Sequence, residues 1–410
     1  MHRRSGKSNF ADRLGQRRGA HAASRHAGAQ PHARRKLALP NRQERRCPLP
    51  AARDQALALG ATLLDSSKPP LYSTENYWRD CMNLDELSQW MKDRNLKGHW
   101  EHSEWSQKVQ PHLWKGQEIL QALNWSGELI TTGEAGRRTI QMRNPGLSAG
   151  MTNTVHISVQ LVKPGEVAAA HRHTAAAIRF IVKGTPNAYT VVEGERFPMF
   201  EGDFITTPNW TWHDHFNDAT EPVMWLDGLD VRLVTHLGAM IQENFKAAQQ
   251  PVEKPESYSS KVFSHARPSW IKNAFDAPPY RYPWEETNAT LQSLKTSAGD
   301  PYDGILLEYT NPVDGGHTLP TCSCSIQLLR PKERTKTHRH TSTTVYYAFR
   351  GSGMTRVSAN ELRWDKTDIF VVPSWQWHSH ENASNEDAIL FSISDRPATE
   401  SLGLYREETE

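Results

Sequence analysis

Four His-x-His pairs stand in this chain: His171/His173, His213/His215, His338/His340 and His378/His380. Eight of the nineteen histidines fall in them, so the pairs are not a by-product of composition. On an extended strand, residues two apart share a face, which sets two imidazoles about 6.6 Å apart along the backbone. From that spacing both can converge on one metal ion. A third imidazole from a later strand closes a facial set: His171, His173 and His213 in the first half, and His338, His340 and His378 in the second. Three neutral protein ligands leave positions open for substrate and O2, as in a non-haem Fe(II) oxygenase. A lone histidine is more often a satisfied surface or core residue; two repeated sets outweigh that reading.

The sets recur because the segment around them recurs. HRHT occurs at 171–174 and 338–341, and DFITTPNWTWHDHFN (203–217) returns as DIFVVPSWQWHSHEN (368–382). The offset is 167 residues at the first motif and 165 at the second, so the chain holds two copies of one domain. The ligands do not separate the copies, but their neighbours do. Arg179 follows His171 by eight residues, in phase with the His-x-His pair, and its counterpart is Tyr346. Asp227 becomes Ser392. A cation beside a metal suits an anionic ligand, so the first copy is expected to be catalytic. Trp210 and Trp212 sit before His213, and at least one of them is expected to pack in a core.

Strands must carry these pairs. TVHISVQLV (154–162) alternates Val155, Ile157, Val159 and Leu161. Short runs of this kind follow, separated by turn residues at 164–165, 183–187, 193–195 and 201–203. Many short strands with close turns predict an all-β sandwich or barrel. Upstream, residues 75–125 are aromatic-rich, with Met82, Leu84, Leu87, Trp90 and Met91 at helical spacing, and predict an amphipathic helical cap. Residues 236–300 predict a helical, then Pro- and Ser-rich, linker.

The formal net charge of +2 hides an asymmetry. Residues 1–50 hold eleven Arg and two Lys against Asp12 and Glu44, leaving the rest of the chain at −9. An acidic body argues against nucleic-acid binding. The first fifty residues lack core-forming side chains and read as a disordered, dispensable basic extension. No long uncharged apolar run predicts a membrane helix. Cys47, Cys81, Cys322 and Cys324 show no zinc spacing and read as free thiols of a reducing cytoplasm.

PGEVAAAHRHTAAAIRFIVKG and GDFITTPNWTWHDHFN resemble the two cupin motifs. With WLDGLD (225–230), GRRTIQMRNPG (136–146) and PHLW (111–114), the chain resembles the bicupin gentisate 1,2-dioxygenase family, which includes salicylate and 1-hydroxy-2-naphthoate dioxygenases. The resemblance spans roughly residues 75–400. It implies two cupin (double-stranded β-helix, jelly-roll) barrels, Fe(II), O2 as co-substrate and a homotetramer. The Glu of the general cupin motif is absent: Ala177 and Ile178 stand there in the first copy, Thr344 and Val345 in the second. That leaves all-His sites and argues against isomerase- or oxalate-type cupins.

The resemblance also implies roles at the first site. Arg137 would bind the substrate carboxylate with Arg179. Gln160, with His156 and Ser158, would line the pocket. His215 would bond substrate or oxygen and shuttle a proton near neutral pH, and Asp227 would orient a neighbour. Gentisate would be cleaved between its carboxyl- and hydroxyl-bearing carbons to maleylpyruvate. Substituted salicylates (5-amino, 5-nitro, 5-chloro) and 1-hydroxy-2-naphthoate are alternative substrates, to be sorted by Thr139, His156 and Ser158. A non-catalytic cupin that binds metal and an aromatic acid is the alternative of another class. The expected organisation is a basic extension (1–70), a helical segment (71–140), the catalytic cupin (141–235), a linker (236–300), the second cupin (301–400) and a tail (401–410).

Overall fold

The computed structural model describes residues 84–97, 108–131, 137–263, 269–270 and 277–410. The basic extension expected over 1–70 lies outside the described residues. The chain divides into two compact units, residues 1–102 and 103–410. In the first, α1 (Leu84–Lys92) carries Asp85 and Glu86 in its first turn and Lys92 in its last, which complements the helix dipole.

The second unit contains the repeat. It opens with β1 (His112–Trp114) and α2 (Gly116–Leu129). The strands of the first copy follow: β2 (Arg138–Gln141), β3 (His156–Val162), β4 (Val167–His173), β5 (Ala177–Lys183), β6 (Thr185–Val192), β7 (Glu195–Met199), β8 (Phe204–Thr207), β9 (His213–Asn217) and β10 (Val223–Leu229). After α3 (Val231–His236), β11 (Gln242–Asn244) and α4 (Tyr258–Val262), the pattern restarts with β12 (Tyr280–Tyr282) and α5 (Trp284–Leu294). The second copy then runs through β13 (Ile305–Glu308), β14 (Ser323–Leu329), β15 (His338–His340), β16 (Thr344–Arg350), β17 (Ser352–Val357), β18 (Asn360–Asp365), β19 (Ile369–Val372), β20 (His378–Glu381) and β21 (Ala388–Ser394). It ends on α6 (Arg396–Ser401) and β22 (Glu407–Thr409).

Each copy is a two-sheet antiparallel jelly roll. The first pairs sheet β12-β8-β5-β10-β3-β2 with sheet β11-β4-β9-β6-β7; the second pairs β1-β19-β16-β21-β14-β13 with β18-β17-β20-β15-β22. The outermost strands are exchanged. β1, which precedes the first jelly roll, pairs with β19 of the second, His112 opposite Val371. β12, which precedes the second, pairs with β8 of the first, Tyr280 opposite Thr206. The helices repeat the exchange. The Gly116 N–H at the start of α2 donates to Asp368 (2.8 Å), and the Trp284 N–H at the start of α5 donates to Asp203 (2.9 Å). Each exchanged strand covers an edge that would otherwise expose unpaired backbone groups.

The span expected as a helical segment therefore contains a strand, and the span expected as a tail contains another. β22 lies against β15, with Thr409 opposite His338. These strands are three residues long, too short to show a period.

Alternation along β3 decides what each side chain meets. Ile157, Val159 and Leu161 join Phe180, Phe204, Tyr347, Phe349 and Phe391 in a core between the two jelly rolls, where Phe180 stacks on Phe391 with ring centroids 4.4 Å apart. Gly228 sits in this interface: a Cβ there would meet Ile178 at 2.8 Å and Ile393 at 2.9 Å. His156, Ser158 and Gln160 take the opposite phase and face the interior of the first jelly roll.

Candidate functional site

Strand pairing assembles the first triad. β4 carries His171 and His173, β9 carries His213, and His171 stands directly opposite His213. Ring centroids lie 5.3 Å (His171–His173), 4.2 Å (His171–His213) and 4.9 Å (His173–His213) apart. One nitrogen from each lies within 4.8 Å of the others, close enough to share a metal ion. All three are buried. Each Nδ1 faces a backbone carbonyl: His171 that of Ala169 (3.1 Å), His173 that of Ala175 (2.7 Å) and His213 that of Thr211 (2.9 Å). At His173 and His213 an Nδ1–H donated this way fixes the ring and leaves the Nε2 lone pair for a metal; His171 Nδ1 also faces the guanidinium of Arg137, itself a donor. Burial pushes the His171 imidazole down to about 3 and His173 to about 4, and His213 lies well below its ordinary range. The rings are thus neutral donors at pH 7. The donor set fits a divalent metal.

A clamp holds the two ligand-bearing strands together. Arg172, between the paired histidines, points away from them and stacks between Trp210 and Trp212, 4.3 and 4.5 Å from the ring centroids, while Glu243 accepts its Nη2 at 2.6 Å. Trp210 has φ +62°, the left-handed region that a bulky residue rarely adopts. Its N–H donates to the His173 carbonyl at 2.8 Å. Both tryptophans therefore pack on Arg172.

The polar residues expected at the first centre come together there. Ser158, Asp227, Arg179 and Ile205 form one row across β3, β10, β5 and β8. Thr139 stands opposite Gln160, and Gln160 opposite Trp225. Arg179 is buried, 3.4 Å from Asp227 Oδ1 through Nε and bonded to the Thr207 hydroxyl through Nη1. Arg137 reaches the triad from the start of β2, its Nη2 2.6 Å from His171 Nδ1. Among the described residues neither ring nitrogen of His156 or His215 has a hydrogen-bond partner, nor does Gln160 Nε2, so several buried polar groups beside the triad are unsatisfied.

His215 requires a correction. Near-neutral titration was expected of it. Burial, then Arg179 and Arg137, hold its pKa well below the ordinary value. At pH 7 it is a neutral imidazole, 4.8 Å from the Trp225 ring, that can donate one hydrogen bond and accept another. It is not poised to carry a proton.

The second triad copies the first in geometry: centroids are 5.6 Å (His338–His340), 4.3 Å (His338–His378) and 5.0 Å (His340–His378) apart, and its nitrogens also lie within 4.8 Å. Arg339 stacks between Trp375 and Trp377 as Arg172 does in the first copy. The surroundings differ. Tyr346 stacks on Phe370 where Arg179 would be, and Ser392 replaces Asp227.

Two features were overlooked in the sequence. Thr206 and Thr207 align with Val371 and Val372, so a polar pair in one copy had marked the partner of Arg179. Asp303 beside His338 had no such signal, because a loop places it. Cys322 and Cys324 are buried free thiols.

The cupin domain family matches residues 158–229 and 325–394. Among characterised relatives, a 5-aminosalicylate 1,2-dioxygenase of Comamonas sp is 42% identical over 340 residues, covering 80% of this chain and 90% of that protein. A gentisate 1,2-dioxygenase of Aquipseudomonas alcaligenes is 40% identical, covering 72% of this chain and 86% of its own. The crystal structure of a salicylate 1,2-dioxygenase from Pseudoaminobacter salicylatoxidans, as adducts with gentisate, superposes with a TM-score of 0.73 at 28% identity, over 85% of this chain and 97% of that one.

Proposed function

The chain belongs to the gentisate 1,2-dioxygenase family of ring-cleaving cupin dioxygenases, and on that premise we propose that its first jelly roll opens the ring of an ortho-hydroxy aromatic carboxylate, with gentisate the leading substrate. Gentisate and O2 combine without other products to maleylpyruvate. The metal is Fe(II), held by His171, His173 and His213. The observation that carries the reading is the pair of arginines at the first triad, Arg137 against His171 and Arg179 against Asp227, with Tyr346 standing in place of Arg179 at the second.

When bound, iron supplies a centre on which the aromatic oxygens and O2 are brought together and through which electrons pass. The chain does the rest. Arg137 and Arg179 bind the carboxylate and fix which ring bond faces the metal. Asp227 and Thr207 hold Arg179 in one orientation, so little side-chain entropy is lost on binding. His215, neutral, offers one N–H to a substrate or product oxygen, and Ser158 and Gln160 complete the polar wall. Trp225 and the buried aliphatic side chains exclude water.

A second reading, 5-aminosalicylate, has in its favour the Comamonas relative, 42% identical over most of its length. Thr139, His156 and Ser158 decide between ring substituents. We place the protein in the cytoplasm as a homotetramer, which native mass spectrometry of the full chain tests. The deciding assay loads the apoprotein with Fe(II) without air, then follows O2 uptake and product with gentisate, 5-amino-, 5-nitro- and 5-chlorosalicylate and 1-hydroxy-2-naphthoate. One O2 consumed per ring opened supports an enzyme. Tight binding of every acid with no O2 uptake would instead show a non-catalytic cupin.

A further inference from the structure

The two triads share geometry but not charge. At the first, Arg137 Nη2 lies 2.6 Å from His171 Nδ1, and Arg179 is a second buried cation, offset by Asp227. The register places Arg138 opposite Leu161 and Ile305 opposite Leu328, so Gly304 is the counterpart of Arg137. The residue before it, Asp303, turns its carboxylate to 3.9 Å from His338 Nε2. Glu407, on β22, lies 3.8 Å from His338 Nδ1. In the first copy the matching strand position is the neutral Gln242, opposite His173 as Glu407 is opposite His340. Arg396, whose charge acts on His340, is bound to Glu400 at 2.7 Å. At the first centre Asp227 and Asp214 offset the two arginines, so the second centre is the more acidic of the two.

The second triad also has free donors. Both nitrogens of His338 and Nε2 of His378, with Nε2 of the neighbouring His380, are buried with no hydrogen-bond partner among the described residues. His340 Nδ1 and His378 Nδ1 face the carbonyls of Ser342 (2.9 Å) and Gln376 (3.0 Å), the tethering seen at the first triad. His338 and His378 are buried, His340 is half-buried and Asp303 lies against His338, a polar cluster that a cation would stabilise. With a divalent cation, the carboxylates balance its charge.

We propose that His338, His340 and His378 form the tighter of two divalent-metal sites in this chain, with Asp303 and Glu407 as its outer carboxylates, and that this centre holds metal while excluding anionic aromatic acids. At the first site a guanidinium against a ligand ring opposes a dication until an anionic substrate arrives. At the second, the protein supplies the anions, leaving no positive charge for a substrate. The same two differences in charge would favour metal and disfavour an anionic substrate at the second centre. The inference rests on the proposed function only in taking the first triad as a metal site.

The test is a Co²⁺ titration of the metal-free full-length protein against a competing chelator, without substrate. Two phases are expected. His338→Ala with His340→Ala should remove the tighter one, and His171→Ala with His173→Ala the weaker. Asp303→Asn, an isosteric change, should weaken the tighter phase by roughly 10–100-fold and leave the weaker unmoved. Arg137→Met should tighten the weaker. Loss of the tighter phase from the His171/His173 variant, or no effect of Asp303→Asn, would overturn the proposal. Asp303→Asn alone decides if the double variant misfolds. Failure of the dioxygenase reading would show separately, as absence of ring opening by iron-loaded wild type.

Discussion

Asp230 and Asp395 are repeat counterparts, and each carboxylate crosses into the other jelly roll. Asp230 accepts the Ala176 N–H of its own copy (2.8 Å) and the Thr321 hydroxyl of the second (2.6 Å). Asp395 accepts the Thr343 N–H of its own copy (2.7 Å) and the Thr154 hydroxyl of the first (2.5 Å). The two domains are thus tied reciprocally at the ends of β10 and β21, the strands that carry Asp227 and Ser392.

This tie predicts a pH dependence of stability. Burial raises both carboxyls from 3.8 to about 6. A raised carboxyl means that the folded state binds the proton more tightly than the unfolded state. The stability it contributes is full below about pH 4 and is lost as pH rises through 6. The shift corresponds to at most about 3 kcal/mol per group. Asp230→Asn with Asp395→Asn should therefore gain stability relative to wild type between pH 4 and 6.5. Urea midpoints across that range measure it; a constant difference between the two proteins would refute the assignment.

Gly228→Ala should destabilise the chain by about 1–3 kcal/mol, because its new methyl meets Ile178 and Ile393 between the jelly rolls. Trimming the opposite side chain, Ile393→Val, should recover part of that loss in the double variant. Thermal melts of the four proteins in the cycle check the coupling, and strictly additive effects would show that the two residues do not share the space.

Arg179→Met should lower kcat/KM for gentisate by about 10–100-fold, the worth of a charge-assisted hydrogen bond to a carboxylate, while first-site metal content stays unchanged. Tyr346→Phe, at the matching position of the second copy, should leave turnover near wild type. Equal losses in both variants would mean that the second centre takes part in the reaction.

The ligand sets were legible because two-residue periodicity maps straight onto a strand face. The chemical difference between the copies was legible because the repeat provided an internal comparison: Arg179 against Tyr346, Asp227 against Ser392. The exchange of β1 and β12 was not, since HLW and YRY are too short to show a pattern and their partners lie in the other copy. The near-neutral titration expected of His215 did not hold, because burial among cations is a property of the assembled interior. Asp303 escaped notice for a related reason: it reaches His338 from a loop, and strand phase does not govern loops.

The Arg–Trp clamps provide the last prediction. Arg172 and Arg339 occupy the middle position of their His-x-His pairs and point to the opposite face, where two tryptophans of the turn before the third histidine enclose each guanidinium. Glu243 and Glu408 fix the two arginines from the adjoining strands at 2.6 and 2.5 Å. Trp210 and Trp375 hold φ of +62° and +61°. Such a conformation persists only where its surroundings enforce it, and here the clamp does so in both copies. Loss of the clamp should let the turn relax and displace the third ligand by a small amount, which a metal site tolerates poorly. Arg172→Ala should weaken Co²⁺ binding at the first triad by about tenfold and leave the second unchanged; Arg339→Ala should do the reverse. If both variants bind as wild type does, the clamps are surface packing and the positions of His213 and His378 are set by the strands alone.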